Sequence, residues 1–76
     1  MIIEIRKTPQ GYDSDDVRLG TSGFGYIGKK DKHLGLLRCP ECGKENYALN
    51  VSSGICAWCG WDMNSLLDEI QKLYNQ

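Results

Sequence analysis

Short runs of alternating apolar and polar residues open the chain and predict β-strands. Ile3 and Ile5 share one face of the first run, as expected for a short strand. A second run, 17–19, ends at Gly20, and the run 24–27 fits a short edge strand. Turn-forming residues rich in Gly, Pro, Ser and Asp separate these runs. The first third of the chain is therefore predicted to hold short antiparallel strands.

The middle of the chain predicts two further strands. Residues 34–38 form an apolar run, and residues 47–51 alternate apolar with polar side chains, which is typical of a half-buried strand. A turn at 52–54 would return the chain to Ile55. These positions predict a β-hairpin in the middle of the chain.

Helical spacing replaces this alternation in the last segment, 64–74. Asn64 or Ser65 can cap such a helix, and acidic residues occupy its first turns. A helix of about three turns is marginal alone in water, so its apolar face needs a packing partner. That face consists of Leu66, Leu67, Ile70, Leu73 and Tyr74.

The spacing of the cysteines predicts a metal site. All four cysteines lie in two Cys-x-x-Cys pairs, each followed by glycine, and residues 43–55 separate the pairs. Two such pairs supply the four thiolates of a tetrahedral zinc ion, with Zn–S distances of about 2.3 Å. Disulfides are disfavoured because we expect a reducing cytoplasmic location. The predicted ligands of one structural Zn²⁺ are Cys39, Cys42, Cys56 and Cys59.

At these residues the sequence resembles the zinc-ribbon family and its relatives with rubredoxin-type Cys-Pro-x-Cys-Gly knuckles. The resemblance covers about residues 36–61 and implies a metal-binding scaffold, with the four cysteines as ligands. A third strand often follows the second knuckle in such ribbons, whereas this chain predicts a helix from Asn64. A treble-clef arrangement, in which the second pair begins a helix, also fits.

These elements predict a single small α+β domain stapled by metal. A zinc-ribbon-like antiparallel β-hairpin is expected at 36–61, with short strands and a Gly/Lys-rich loop at 1–35 and a helix at 64–74. A chain of 76 residues buries little apolar surface, so a metal staple is expected to support its fold.

Charge limits the range of partners. Nine Lys and Arg against ten Asp and Glu give a formal net charge of −1, which excludes a global polycation. An acidic cluster at Asp13, Asp15 and Asp16 is predicted to be a solvated loop. One local basic patch is a candidate nucleic-acid-binding surface, although a solvated loop or a contact with an acidic protein also fits. The patch consists of Lys29, Lys30, Lys32, Arg38 and Lys44.

The sequence favours a non-catalytic binding module. A closed four-thiolate site leaves no position for water, and His33 has no evident nucleophile beside it. The zinc-ribbon resemblance implies a nucleic-acid-binding or transcription-associated regulator. The alternatives are a protein–protein adaptor that uses the C-terminal helix with Trp58 and Trp61, and a rubredoxin-like electron carrier. We expect a cytoplasmic protein with no membrane span and no small-molecule substrate.

Overall fold

A computed structural model describes residues 1–75. Its main element is a four-stranded antiparallel sheet in which neighbours in sequence are neighbours in space, in the order β1-β2-β3-β4. Two 3-10 helices and one α-helix follow the sheet. The strands are β1 Ile3–Arg6, β2 Ser14–Leu19, β3 Gly23–Gly28 and β4 Leu34–Arg38; the 3-10 helices are Ala48–Ser53 and Met63–Leu66, and α1 is Leu67–Tyr74.

The inner face of the sheet carries the core. Strand alternation sends Val17 and Leu19 of β2 inward, where both are fully buried, while Arg18 between them is exposed. Burying one apolar side chain of this size contributes about 1.5–3 kcal/mol, so this face is the main apolar contribution to stability. The buried apolar set is Val17, Leu19, Ile27, Leu34, Leu36, Cys39, Cys56, Met63, Ile70 and Tyr74.

The C-terminal helix packs on this inner face. Ile70 and Tyr74 of α1 are buried, and the helix contacts β1. The predicted helix is confirmed, but its first turn is a 3-10 turn and its cap is Asp62, whose carboxylate accepts from the N–H of Asn64 at 2.9 Å. No helix within residues 1–75 is both long and apolar enough to be a membrane span.

The predicted α+β class with N-terminal strands and a C-terminal helix is confirmed. Two local predictions are wrong. β3 is not an edge strand, because it pairs with both β2 and β4. The segment 47–51 is not a strand, since a 3-10 helix occupies Ala48–Ser53 and leaves Leu49 79% exposed. Its alternation found no partner strand, and the Asn50 carbonyl instead accepts from the Ser53 hydroxyl at 2.7 Å.

Asp15 also differs from its prediction as part of a solvated loop. It lies in β2, is 1% exposed and accepts hydrogen bonds from the backbone N–H of Thr8 at 2.7 Å and the Tyr74 hydroxyl at 2.5 Å. Burial raises the pKa of Asp15, but the Tyr74 hydroxyl, Thr8 and Lys29 together outweigh burial and lower it to about 2. This carboxylate therefore ties the end of α1 to the sheet.

Candidate metal centre

The first cysteine pair sits in a tight turn after β4. The N–H of Cys39 donates to the carbonyl of Lys44 at 3.0 Å, and the N–H of Gly43 donates back to the carbonyl of Cys39 at 2.9 Å. Gly43 has φ 72, a left-handed conformation that glycine adopts at little cost. An isolated antiparallel bridge between Arg38 and Glu45 closes the turn, which we call the first knuckle (38–45).

The second cysteine pair repeats the same construction. The N–H of Cys56 donates to the carbonyl of Trp61 at 2.8 Å, and the N–H of Gly60 donates to the carbonyl of Cys56 at 3.0 Å. Gly60 has φ 81, and a bridge between Ile55 and Asp62 closes this second knuckle (55–62). The two knuckles thus use one set of backbone contacts, each aiming two sulfurs in a common direction.

Together the knuckles form a compact cluster of sulfur atoms. All four Sγ atoms lie within 4.8 Å of one another. Sγ–Sγ distances between the knuckles are 3.5 Å for Cys39 and Cys59 and 3.7 Å for Cys42 and Cys56, and all four cysteines are free thiols. A tetrahedron with Zn–S bonds of about 2.3 Å has edges of about 3.8 Å. The four cysteines are therefore positioned to hold one metal ion, as predicted.

The thiols of the cluster are not equivalent. Burial raises the pKa of Cys56, but the backbone N–H groups of Cys59 and Trp58, together with the thiols of Cys59 and Cys42, outweigh burial and lower it to about 7. Burial raises the pKa of Cys39 to about 12 despite N–H groups from Cys42 and Glu41. Backbone donors such as the N–H of Trp58, 3.4 Å from the Cys56 sulfur, stabilise thiolate charge and would orient the ligands around an ion.

Asn46 joins the two knuckles through its side-chain amide. Its Nδ2 donates to the carbonyls of Leu36 and Ile55, both at 3.0 Å. Its Oδ1 accepts from the N–H groups of Tyr47 and Ala57, both at 2.9 Å. Two of these contacts reach the second knuckle and one reaches β4, so Asn46, which directly follows the first knuckle, helps to position the cysteine pairs relative to each other.

The two tryptophans have different surroundings. Trp61 packs against the buried core. Trp58 is 58% exposed, and its Nε1–H donates to the carbonyl of Glu45 at 2.8 Å. Lys44 Nζ lies 5.5 Å from the centroid of the Trp58 ring, within range of a cation–π contact.

The structure divides the predicted basic patch between two ends of the sheet. Lys29 and Lys32, in the β3–β4 turn, are engaged within the fold. Lys29 Nζ donates to the carbonyl of Pro9 at 3.0 Å and lies 3.8 Å from Asp15 Oδ1. Lys32 Nζ donates to the carbonyl of Lys29 at 2.8 Å and lies 4.6 Å from the Tyr74 ring centroid. Lys30 in the same turn is exposed.

The other two members of the patch lie at the opposite end of β4, beside the first knuckle. Arg38 pairs with Glu45 at 3.2 Å, and both side chains are largely exposed, so the pair contributes about 0–1 kcal/mol. Lys44 covers Trp58 as described. Prediction from sequence missed Arg6 and Arg18, which lie near Arg38 because strand register brings them to one cleft. Only the alternation within β1 and β2 hinted that both point to solvent.

Comparison with known proteins gives one informative match. Large ribosomal subunit protein eL37 of Caldivirga maquilingensis is 40% identical to this chain over 42 residues. The match covers 55% of this chain and 61% of the ribosomal protein, so the chain spans about three-fifths of the length of that relative. No family model matches the chain, and no solved structure matches it.

Proposed function

We propose that this protein is a non-catalytic, zinc-stabilised module that binds RNA. The observation that carries the proposal is the 40% identity, over more than half of the chain, to a protein of the large ribosomal subunit. A ribosomal protein works among RNA and protein components, and RNA is the nucleic acid this similarity favours. A role in transcription draws no support from it. A cytoplasmic location belongs to the same proposal.

The metal in this proposal is structural. Four thiolates complete a tetrahedral shell, so an ion bound by the cluster would have no open position for substrate or water. Zinc matches this all-sulfur ligand set and needs no redox partner. The ion would fix the knuckles, and the remaining surface would contact the nucleic acid.

Direct binding tests the proposal. The full chain, purified with one equivalent of zinc, is expected to bind single-stranded or structured RNA with an affinity that falls steeply as salt is raised, because phosphate contacts release counterions. Fluorescence anisotropy with labelled RNA measures this dependence. Absence of binding at low salt, with the metal present and the amide spectrum dispersed, would contradict RNA binding.

A second candidate function, protein adaptor, is favoured by one observation. Several large apolar side chains around the 3-10 helix and the second knuckle are exposed, and exposed apolar surface can mark a protein-binding site. The C-terminal helix is less suited to this role, because Ile70 and Tyr74 are buried against the sheet. The exposed set is Tyr47, Leu49, Ile55 and Trp58. Retention of one protein partner that a Leu49→Asp, Trp58→Ala variant fails to retain would favour the adaptor.

A further inference from the structure

One row of side chains crosses the solvent face of the sheet next to the metal centre. Strand register places Glu4 opposite Arg18, Arg18 opposite Phe24, and Phe24 opposite Arg38. We call these four residues the outer row. Phe24 is half-buried and the other three are exposed, so the row presents an aromatic ring between two arginines. Cross-strand neighbours have Cβ atoms about 4.5–5.5 Å apart, which brings ring and guanidinium groups within reach of one ligand.

All three arginines of the protein are gathered here. Arg6, Arg18 and Arg38 line a single cleft together with Phe24 and the β2–β3 turn, while the six lysines lie elsewhere. Arginine suits this setting because its planar fork binds phosphate oxygens bidentately and also stacks on bases. The turn adds the exposed hydroxyls of Thr21 and Ser22 to the same cleft.

This cleft continues on both sides. Phe24 and Arg38 also line a neighbouring cleft that reaches Asn46 and Val51. Arg18 and Thr21 also line a cleft that reaches β1 and the first knuckle. The three clefts share walls and form one shallow path across all four strands, with Phe24 near its middle.

The path carries both acidic and basic side chains, but its arginines are available to bind phosphate. Glu4 and Asp16 are the cross-strand neighbours of Arg18 and Arg6. Within residues 1–75, however, the ion pairs are those of Lys29 with Asp15 and of Arg38 with Glu45, so Arg6 and Arg18 have no carboxylate partner. The exposed Arg38–Glu45 pair is weak and can exchange for a phosphate.

We infer that the outer row and its path bind a single-stranded segment of RNA, with one base stacked on Phe24 and phosphates held by Arg18 and Arg38. This inference rests on the proposed RNA-binding function and locates it. An aromatic ring on a central strand is the platform on which sheet proteins stack unpaired bases. Tyr26, one pair further along β3, lies over Gly35, where a Cβ would lie 2.1 Å from its ring. Tyr26 therefore packs within the fold, whereas Phe24 is the ring on which a base would stack.

Anisotropy with a labelled uridine-only RNA strand and the zinc-bound full chain tests the inference. Phe24→Leu keeps an apolar side chain but removes the ring, and is expected to weaken binding about 5- to 150-fold, the range for losing one stacked base. Phe24→Tyr retains the ring and is expected to keep the affinity, which holds the test even if the leucine variant folds poorly. Arg18→Gln is expected to weaken binding and to reduce the salt slope by about 0.7.

Lys30→Gln is the matched control, because it removes one exposed positive charge at the far end of the sheet. It is expected to bind like the wild type. If the wild type binds RNA but Lys30→Gln weakens it more than Arg18→Gln, or Phe24→Leu binds as tightly as wild type, this location is wrong while RNA binding stands. Preference for duplex over single-stranded RNA would also overturn it. If the wild type binds no RNA at low salt, the proposed function itself fails.

Discussion

The sheet with its helix and the pair of knuckles achieve order by different means. The sheet and its helix enclose a continuous apolar interior in which Leu19, Ile27 and Leu36 are fully buried. The knuckle region has almost no apolar interior. The 3-10 helix between the knuckles buries no residue, and apart from cysteines the segment 39–62 buries only Gly54. Hydrophobic burial explains the sheet, and it cannot explain the knuckles.

A metal ion would act where the apolar core ends. Of the four cysteines positioned to hold the ion, Cys39 and Cys56 also belong to the buried cluster, whereas Cys42 and Cys59 are exposed. The ion would therefore connect the apolar core to the part of the chain that lacks one. Local backbone bonds shape each knuckle, whereas coordination, the amide of Asn46 and the contacts of Trp58 with Glu45 and Lys44 would hold the two knuckles against each other.

Metal removal is expected to have the largest effect, because the knuckles lack an apolar core of their own. A structural zinc ion contributes about 10–16 kcal/mol of apparent binding free energy that is also folding free energy. Chelation under reducing conditions is expected to collapse the amide signals of residues 39–60 while those of β1–β3 stay dispersed. Nuclear magnetic resonance with elemental analysis measures both. Unchanged signals throughout would rule out a structural ion, and loss of all signals would show that the sheet has no independent stability.

Truncation in the sheet half should produce the next largest effect. Ile70→Ala removes a fully buried side chain from the interface of α1 with the sheet and is expected to cost about 2–5 kcal/mol. Leu73→Ala on the same helix is the matched control, because Leu73 is 37% exposed and should lose much less. Urea denaturation of the zinc-bound chain measures both. Equal losses would mean that α1 does not pack on the sheet as described.

Asn46→Ala tests how much the Asn46 side chain contributes to metal affinity. It removes four amide contacts, two of which reach the second knuckle, and outer-shell changes of this kind typically lower metal affinity about 10- to 100-fold. Competition with a chromophoric chelator measures the affinity. Asn50→Ala, whose amide side chain makes no such bridge, is the control. Unaltered affinity in Asn46→Ala would show that the Asn46 amide does not help to orient the knuckles.

Tyr74→Phe removes the hydrogen bond between Tyr74 of α1 and Asp15 of β2 and is expected to have the smallest effect on stability. The change leaves Asp15 with one partner fewer and should cost about 1–3 kcal/mol near neutral pH. Because the folded state holds the pKa of Asp15 at about 2 against an ordinary 3.8, the stability from this carboxylate is present above pH 4 and is lost as pH falls toward 2.

The same substitution therefore predicts a pH-dependent difference. The gap in unfolding free energy between wild type and Tyr74→Phe should narrow as pH falls from about 4 to about 2. Metal release in acid affects both proteins alike, so their difference reports on Asp15. At the alkaline end, the Asp15 hydrogen bond, burial and the Asp15 charge raise the pKa of Tyr74 to about 12, so its contribution falls above pH 10. A constant gap across the acid range would contradict this account.

The metal cluster could be predicted from the sequence because its chemistry is local. A pair spaced by two residues with a following glycine specifies a knuckle whatever the rest of the chain does. The first two strands and the C-terminal helix were likewise accessible, since Ile3 and Ile5 or Ile70 and Tyr74 mark the buried face by spacing alone.

The remaining features depend on contacts between distant residues. Asp15 is buried beside Tyr74, whose hydroxyl donates to its carboxylate. Tyr74 lies 59 positions away in sequence, so the residues next to Asp15 do not indicate its burial. Residues 47–51 alternate like a strand, but a strand needs a partner, and a 3-10 helix occupies Ala48–Ser53 instead. The outer row depends on the register of all four strands, which alternation within any one strand does not specify.

The matching bond pattern of the two knuckles has an evolutionary consequence. Each turn is closed by main-chain groups, so two cysteines and a glycine are the residues that the two knuckles share, and the positions between the cysteines differ. A unit with so few requirements arises readily more than once. The likeness between the halves of the centre therefore needs no internal duplication, and convergence within one short chain is sufficient to explain it.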